Sequence, residues 1–348
     1  MRIAILSPVW FPVPPSVYGG IEWVVSLLAD GLAEAGHDVT LFASGDSSTK
    51  AKLASVFPEA PSAEIGKSGT ELRHALSCFE RAGEFDIVND HSGPLAAAVG
   101  GALETPVVHT VHGPLVGADG DLYASLAQVA PEVGLISVSL NQRKPQPDLP
   151  WVANCHNALD LGAYPMHTDR GEYLLFLGRM SAGKGCHRAV EVAVEAGLPL
   201  KIAGKMREPA EQDYFENFVA PHLGNGIEYL GETSHAKKVA LLQNARATLF
   251  PIEWEEPFGL VMIESMACGT PVIATRWGAV PEVIQHGRSG IIVDDYREMA
   301  GVLPLADELD PAECRRSVEE HFSAERMVAD YEAAYNAVLG GTPPPSQV

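Results

Sequence analysis

The sequence is poor in cysteine and in positive charge, and it has no long hydrophobic run. Its five cysteines, Cys78, Cys155, Cys186, Cys268 and Cys314, are dispersed with no Cys-x-x-Cys spacing. An odd, scattered set fits neither a disulfide framework nor a zinc cage, so the expected compartment is cytoplasmic. Lys and Arg number 24 against 45 Asp and Glu, a formal net charge of −21. A field of that sign repels phosphate backbones and anionic headgroups, which argues against nucleic acid as a partner. No stretch approaches the roughly 18 consecutive apolar residues of a spanning helix, and residues 1–8 are too short for a signal-peptide core, so no stable membrane insertion is expected. Also missing after the first apolar run is a G-x-G-x-x-G fingerprint, which disfavours a dehydrogenase.

What is present is an ordinary globular composition, 46% hydrophobic and 20% charged over 348 residues. That length predicts two domains. Short apolar runs alternate with helix-like segments almost from end to end, the pattern of parallel sheets wrapped by helices, so the fold class is α/β. In the first half, strands are expected at 2–7, 39–43, 87–88, 107–110, 135–138 and 152–153. In the second half they are expected at 173–177, 200–203, 227–230, 248–250, 272–274 and 291–293. Ile21, Val24, Val25, Leu28 and Leu32 follow helical spacing up to a stop at Gly36. The aperiodic stretch 156–171 reads as a hinge. The expected division is an N-terminal domain 1–157, a C-terminal domain 158–322 and a helix, 323–348, that could cross back to the first domain. Met327, Tyr331, Ala334 and Val338 form its apolar stripe, and 342–345 should be frayed.

Ligands of open α/β sheets bind at the carboxyl ends of the strands, and several loops there carry chemistry. Tyr18-Gly19-Gly20 opens the first helix, where bare backbone amides suit an anion or a sugar. Gly178-Arg179-Met180-Ser181-Ala182-Gly183-Lys184-Gly185 superficially fits a phosphate loop, but Gly185 stands where a magnesium-binding hydroxyl is required. Arg179 and Lys184 remain as two cations able to converge on a diphosphate. Glu256-Pro257-Phe258-Gly259-Leu260 leads into a helix bearing Glu264, so an amide-lined anion site would lie between two carboxylates able to hold hydroxyls. The neighbours of Glu264 are so apolar that it needs a buried partner. Asp119-Gly120-Asp121 reads as a helix cap rather than a metal site.

Taken together, Gly19-Gly20, Thr110-Val111-His112-Gly113, Gly178-Arg179 with Lys184-Gly185, the Glu256-x7-Glu264 spacing, the run from Ala267 to Ala274 and the turn Gly278-Ala279-Val280-Pro281-Glu282 resemble glycosyltransferase family 4 over nearly the whole chain. These are retaining sugar-nucleotide transferases of the GT-B fold, two Rossmann-like αβα domains facing each other across a cleft. The resemblance implies that Arg179 and Lys184 neutralise the donor diphosphate, Glu264 holds the nucleotide ribose, and Glu256 contacts the donor sugar. It further implies that amides of Phe258, Gly259 and Leu260 bind sugar hydroxyls and the distal phosphate, and that His112 serves near the donor sugar and acceptor. Loops near Gly204 and Leu230 would meet the base.

No prosthetic group and no metal is implied; the donor is a nucleotide-diphosphate sugar whose base, uridine, guanosine or thymidine, stays open. The acceptor would be a small molecule, glycan or natural product. Two departures are Asn157-Ala158-Leu159-Asp160, where the family often has Asn-Gly-x-Asp, and Ala279 in place of a second glycine. Residues 1–155 hold 8 Lys and Arg against 17 Asp and Glu, unlike the basic surface of membrane-docking members. The alternatives are a phosphorylase or sugar synthase of the same fold, a non-catalytic nucleotide-sugar-binding protein and, last, a P-loop hydrolase.

Overall fold

The computed structural model describes residues 1–16 and 19–340. Tyr18 and the proline-rich end at 342–345 lie outside the described residues. The chain forms two compact units, one of Met1–Ala158 with the residues from Ala324 onward, the other of Leu159–Ser323.

In the first unit, β1 (Arg2–Leu6), β2 (Asp38–Phe42), β3 (Lys52–Ala54), β4 (Ile87–Asp90), β5 (Val107–Val111), β6 (Gly134–Ser137) and β7 (Trp151–Asn154) form one sheet. Its order is β3-β2-β1-β4-β5-β6-β7, with every pairing parallel. The second unit repeats the plan with β8 (Tyr173–Leu177), β9 (Leu200–Ala203), β10 (Ile227–Tyr229), β11 (Ala245–Phe250), β12 (Val272–Thr275) and β13 (Gly290–Val293). There the order is β10-β9-β8-β11-β12-β13, again all parallel. Central strands such as Ile87–Asp90 and Val272–Thr275 are buried at every residue, as a sheet covered on both faces requires. Both sheets reverse their winding beside the first strand, between β1 and β4 and between β8 and β11. Those two switch points are where the fold leaves a crevice at the strand ends.

The twelve expected strands all form: 173–177 and 200–203 have the expected bounds, and the others are shifted at one or both ends by at most three residues. The strand Lys52–Ala54 was not expected: it is three residues long and lies on the sheet edge. The terminal helix Ala324–Val338 packs on the first unit, burying Met327, Val328, Tyr331, Ala334 and Tyr335. Val338 is only half-buried, and Tyr335 takes its place in the stripe. The phenol oxygen of Tyr335 accepts from Asn89 at 2.7 Å, and Val328 fills the space that a side chain at Gly31 would need. Asp119 does not cap a helix. The helix Gly117–Val129 begins after Val116 with no side-chain cap, and Asp119 sits in its first turn.

Candidate active site

At the β8–β11 switch point, three strand ends come together. Gly178 follows β8, Gly204 follows β9, and Leu230 with Gly231 follows β10. Gly178 donates its amide to Ala203, Gly204 to Gly231 at 3.1 Å, and Leu230 to Ile202 at 2.8 Å. A Cβ on Gly204 would lie 1.7 Å from the Gly178 carbonyl oxygen, so these loops touch backbone to backbone. The Tyr229 hydroxyl closes the corner by donating to the Gly204 carbonyl at 3.1 Å.

The basic loop after β8 ends at Gly185, which precedes the helix Cys186–Ala196. Gly185 has φ +77°, and a Cβ there would sit 2.3 Å from the Pro251 carbonyl oxygen. The position has no room for the Ser or Thr of a phosphate-hydrolysing loop. Lys184, one residue earlier, donates to Glu256 Oε2 in a close ion pair. Its ammonium also lies 4.8 Å from the Trp254 ring centroid, a cation–π contact. Glu256 is 7% exposed, and its Oε1 has no hydrogen bond among the described residues. This pair joins the end of β8 to the loop after β11, across the switch point.

Glu264 lies on the helix Leu260–Ala267, which begins after Gly259. As its apolar neighbours demand, the carboxylate is buried with partners: Oε1 accepts from the Tyr164 hydroxyl at 2.7 Å and from Lys238 Nζ at 2.5 Å. Both donors meet the same oxygen, so Oε2 keeps its acceptor capacity among the described residues. Burial, and then the Glu264 charge, push the Tyr164 phenol pKa far up, so it remains a donor. The side chain of Phe258 is core, 2% exposed and edge-on to Phe322 at 5.7 Å. What this residue can offer a ligand is its backbone.

Arg179 is directed elsewhere: its Nε is 3.8 Å from Glu211 Oε1. Glu211 also accepts from Lys205 at 3.3 Å, and Lys205 bonds Glu208 at 2.5 Å. Lys205 thus partners Glu211 and Glu208, Trp254 partners Lys184, and Tyr164 and Lys238 partner Glu264. Of these four, only Lys205 had a signal in the sequence, its place directly after Gly204 at a strand end. The two departures from family pattern are absorbed locally. Ala279 has φ −76°, a conformation any residue adopts, and donates its amide to the Glu256 carbonyl at 2.9 Å. Asp160 accepts from the Gly162 amide at 2.9 Å.

In the first unit, His112 follows β5 and His91 follows β4. Their rings meet at His91 Nδ1 to His112 Nε2, 2.9 Å. Burial, with a smaller contribution from nearby His109, pushes the His112 pKa down to about 3, so the imidazole is neutral at physiological pH. Gly19 caps the helix Gly20–Glu34, and its Cβ space is taken up by Pro15 and Glu22. Among the described residues no group of His, Cys, Asp and Glu could hold a metal ion. No helix among them is long and apolar enough to cross a membrane.

Two parallel Rossmann-like sheets, with paired charges at the strand ends of the second, define the class of sugar transferases with the GT-B fold. Residues 166–310 match the glycosyl transferases group 1 family, and residues 18–130 match glycosyltransferase family 4. The chain belongs to the glycosyltransferases of family 4. Glycogen synthase of Mycobacterium tuberculosis is 25% identical over 95% of this chain and 91% of that protein. The solved structure of AviGT4, a glycosyltransferase involved in avilamycin A biosynthesis, superposes with a TM-score of 0.72 at 25% identity, covering 98% of this chain and 99% of that one. That of HepE from Anabaena, in complex with UDP and glucose, has a TM-score of 0.75 at 18% identity over 95% and 98% of the two chains.

Proposed function

We propose that this chain is a retaining transferase that moves a hexose-type sugar from a nucleotide-diphosphate sugar to an acceptor hydroxyl. The observation that carries the reading is the Lys184–Glu256 pair, a cation and a buried carboxylate placed at the second unit's switch point. Cleavage of the anomeric bond sends its electron pair to the leaving diphosphate. Lys184 and the amides of Phe258, Gly259 and Leu260, joined by Arg179 when it exchanges Glu211 for the diphosphate, stabilise that charge, which lowers the barrier more than binding the ground state would. Glu264 Oε2 accepts from a ribose hydroxyl, and Glu256 exchanges Lys184 for a hydroxyl of the donor sugar. Gly178, Gly204 and Leu230 bound the base, and Gly19, Gly20 and His112 contact the substrates.

Retention follows from attack on the face the diphosphate leaves. The acceptor oxygen bonds the anomeric carbon as the phosphate oxygen departs, and the acceptor proton passes to that phosphate oxygen. No protein nucleophile is needed. The structure of HepE with UDP and glucose supports a nucleoside diphosphate sugar as the class of donor, and the acceptor is a small molecule, glycan or natural product. The test is a panel of UDP-, GDP- and dTDP-sugars, with and without EDTA, read by calorimetric binding and by NMR of the product. One donor bound in EDTA, weakened in Lys184→Met and giving an α-product from an α-donor, is expected. Binding of ATP with magnesium alone, or an inverted product, would overturn the reading.

A further inference from the structure

His91 is 2% exposed, and its backbone amide is tied to the Leu6 carbonyl at 2.8 Å, so the residue is fixed at the β1–β4 switch point. Its ring meets that of His112 edge to edge along the Nδ1–Nε2 contact, with centroids 5.2 Å apart and an interplanar angle of 29°. Tyr331 of the terminal helix approaches from another side, with ring centroids 5.9 Å apart. The Nδ1 of His91 is shared with His112 Nε2, and the Nε2 of His91 is buried with no hydrogen-bond partner. His112 is half-buried, and its Nδ1 has no hydrogen bond among the described residues. One nitrogen of His112 is therefore engaged inside the unit and the other is left for a ligand.

Two neutral imidazoles can share one proton in two ways. If His112 donated from Nε2, His91 would carry its own proton on Nε2, and a buried N–H would have no acceptor. If His91 donates from Nδ1, its Nε2 is a bare lone pair and no donor is stranded. Orphaned buried N–H groups are rare, whereas unsatisfied acceptors are better tolerated. The mild intrinsic preference of imidazole for a proton on Nε2 is smaller than the cost of stranding a donor. We propose that His91 is the positioning residue for His112: it donates its Nδ1–H to His112 Nε2, so that His112 offers an Nδ1–H to a substrate oxygen and does not act as a base.

The ligand class follows from that polarity. A neutral N–H donor recognises an oxygen lone pair, such as a sugar hydroxyl or ring oxygen, and leaves the acceptor proton to the departing phosphate. This assignment rests on the transferase reading only for what His112 faces. The tautomers themselves are properties of the free protein.

The experiment is a long-range proton–nitrogen correlation spectrum of the full chain labelled with 15N-histidine, with His91→Phe and His112→Gln used to assign the two rings. Both rings should carry the proton on Nδ1 and a bare Nε2. A proton on His112 Nε2 in the parent chain overturns the proposal, with or without turnover. In His91→Phe, which keeps an aromatic ring but removes the donor, His112 should lose its single tautomer, and kcat should fall about tenfold with the donor KM little changed. His91→Asn, whose amide nitrogen can overlie Nδ1, should restore both. An unchanged His112 tautomer and kcat in a folded His91→Phe would remove the positioning role. Correct tautomers in a chain that transfers no sugar would count against the transferase reading instead.

Discussion

The backbone of Gly278 lies directly against that of Glu256. A Cβ at 278 would sit 2.3 Å from the Glu256 amide nitrogen and 2.4 Å from its carbonyl oxygen, and Gly278 has φ +55°. The next amide, from Ala279, holds the same Glu256 carbonyl at 2.9 Å. The turn after β12 is thus the template on which the Glu256 loop is set. Gly278→Ala should displace that loop and lower kcat/KM by about 100-fold, the usual cost of a misplacement near 1 Å. Gly301→Ala, where a Cβ meets nothing closer than 3.5 Å, is the control. Equal activity in the two variants would show that Glu256 does not depend on the contact.

Lys184 and Glu256 should also be coupled energetically. Their side chains are 19% and 9% exposed, so removing the lysine leaves a largely buried carboxylate without its cation. Lys184→Met is expected to destabilise the second unit by about 3 kcal/mol, and Lys184→Met with Glu256→Gln to recover much of that. Denaturant titration of the two single variants and the double variant closes the cycle. Strictly additive losses would mean that the pair contributes nothing to the fold.

Most of the sheet architecture was legible because each central strand is a short apolar run bounded by polar or glycine-rich residues. Arg2–Leu6, Tyr173–Leu177 and Val272–Thr275 need little else to be recognised. Lys52–Ala54 escaped because an exposed three-residue edge strand has no such run. Asp119 misled because an acidic residue favours the first helical turn as well as the cap. The site was legible as residue types at strand ends but not as pairs. Lys184 is 72 positions from Glu256, and Tyr164 is 100 positions from Glu264. No local pattern selects such partners. His91 was passed over because its meaning lies in a ring contact with His112, not in any motif.

Tyr164 and Lys238 should tune nucleotide affinity through Glu264. Tyr164→Phe keeps the ring but removes the 2.7 Å hydrogen bond to Oε1. A bond to a carboxylate contributes about 1.5–3 kcal/mol, so the Glu264 side chain should lose its fixed orientation toward a ribose. Calorimetric titration with the nucleoside diphosphate of the preferred donor should show affinity reduced by about tenfold in Tyr164→Phe. Unchanged affinity in the folded variant would place the ribose elsewhere.

Glu22 gives the first unit a pH-dependent stability of known sign. It lies in the first turn of the helix Gly20–Glu34, 5% exposed, and burial pushes its pKa up to about 7, opposed only by a hydrogen bond to its own backbone. In the unfolded chain the carboxyl reverts to its ordinary value of 4.5. Between those two values the folded protein holds a proton that the unfolded chain has released. Stability from this group therefore falls as pH rises through that window, by about 3 kcal/mol in all, and is level above it. Glu22→Gln keeps the shape and removes the titration. It should be more stable than the parent by about 3 kcal/mol at pH 8, and the difference should narrow to about 1 kcal/mol at pH 5. Urea unfolding at the two pH values reads this directly. A difference that is the same at both would mean that the carboxyl is not protonated in the folded protein, and that the helix amides at its N-terminus hold it as an anion.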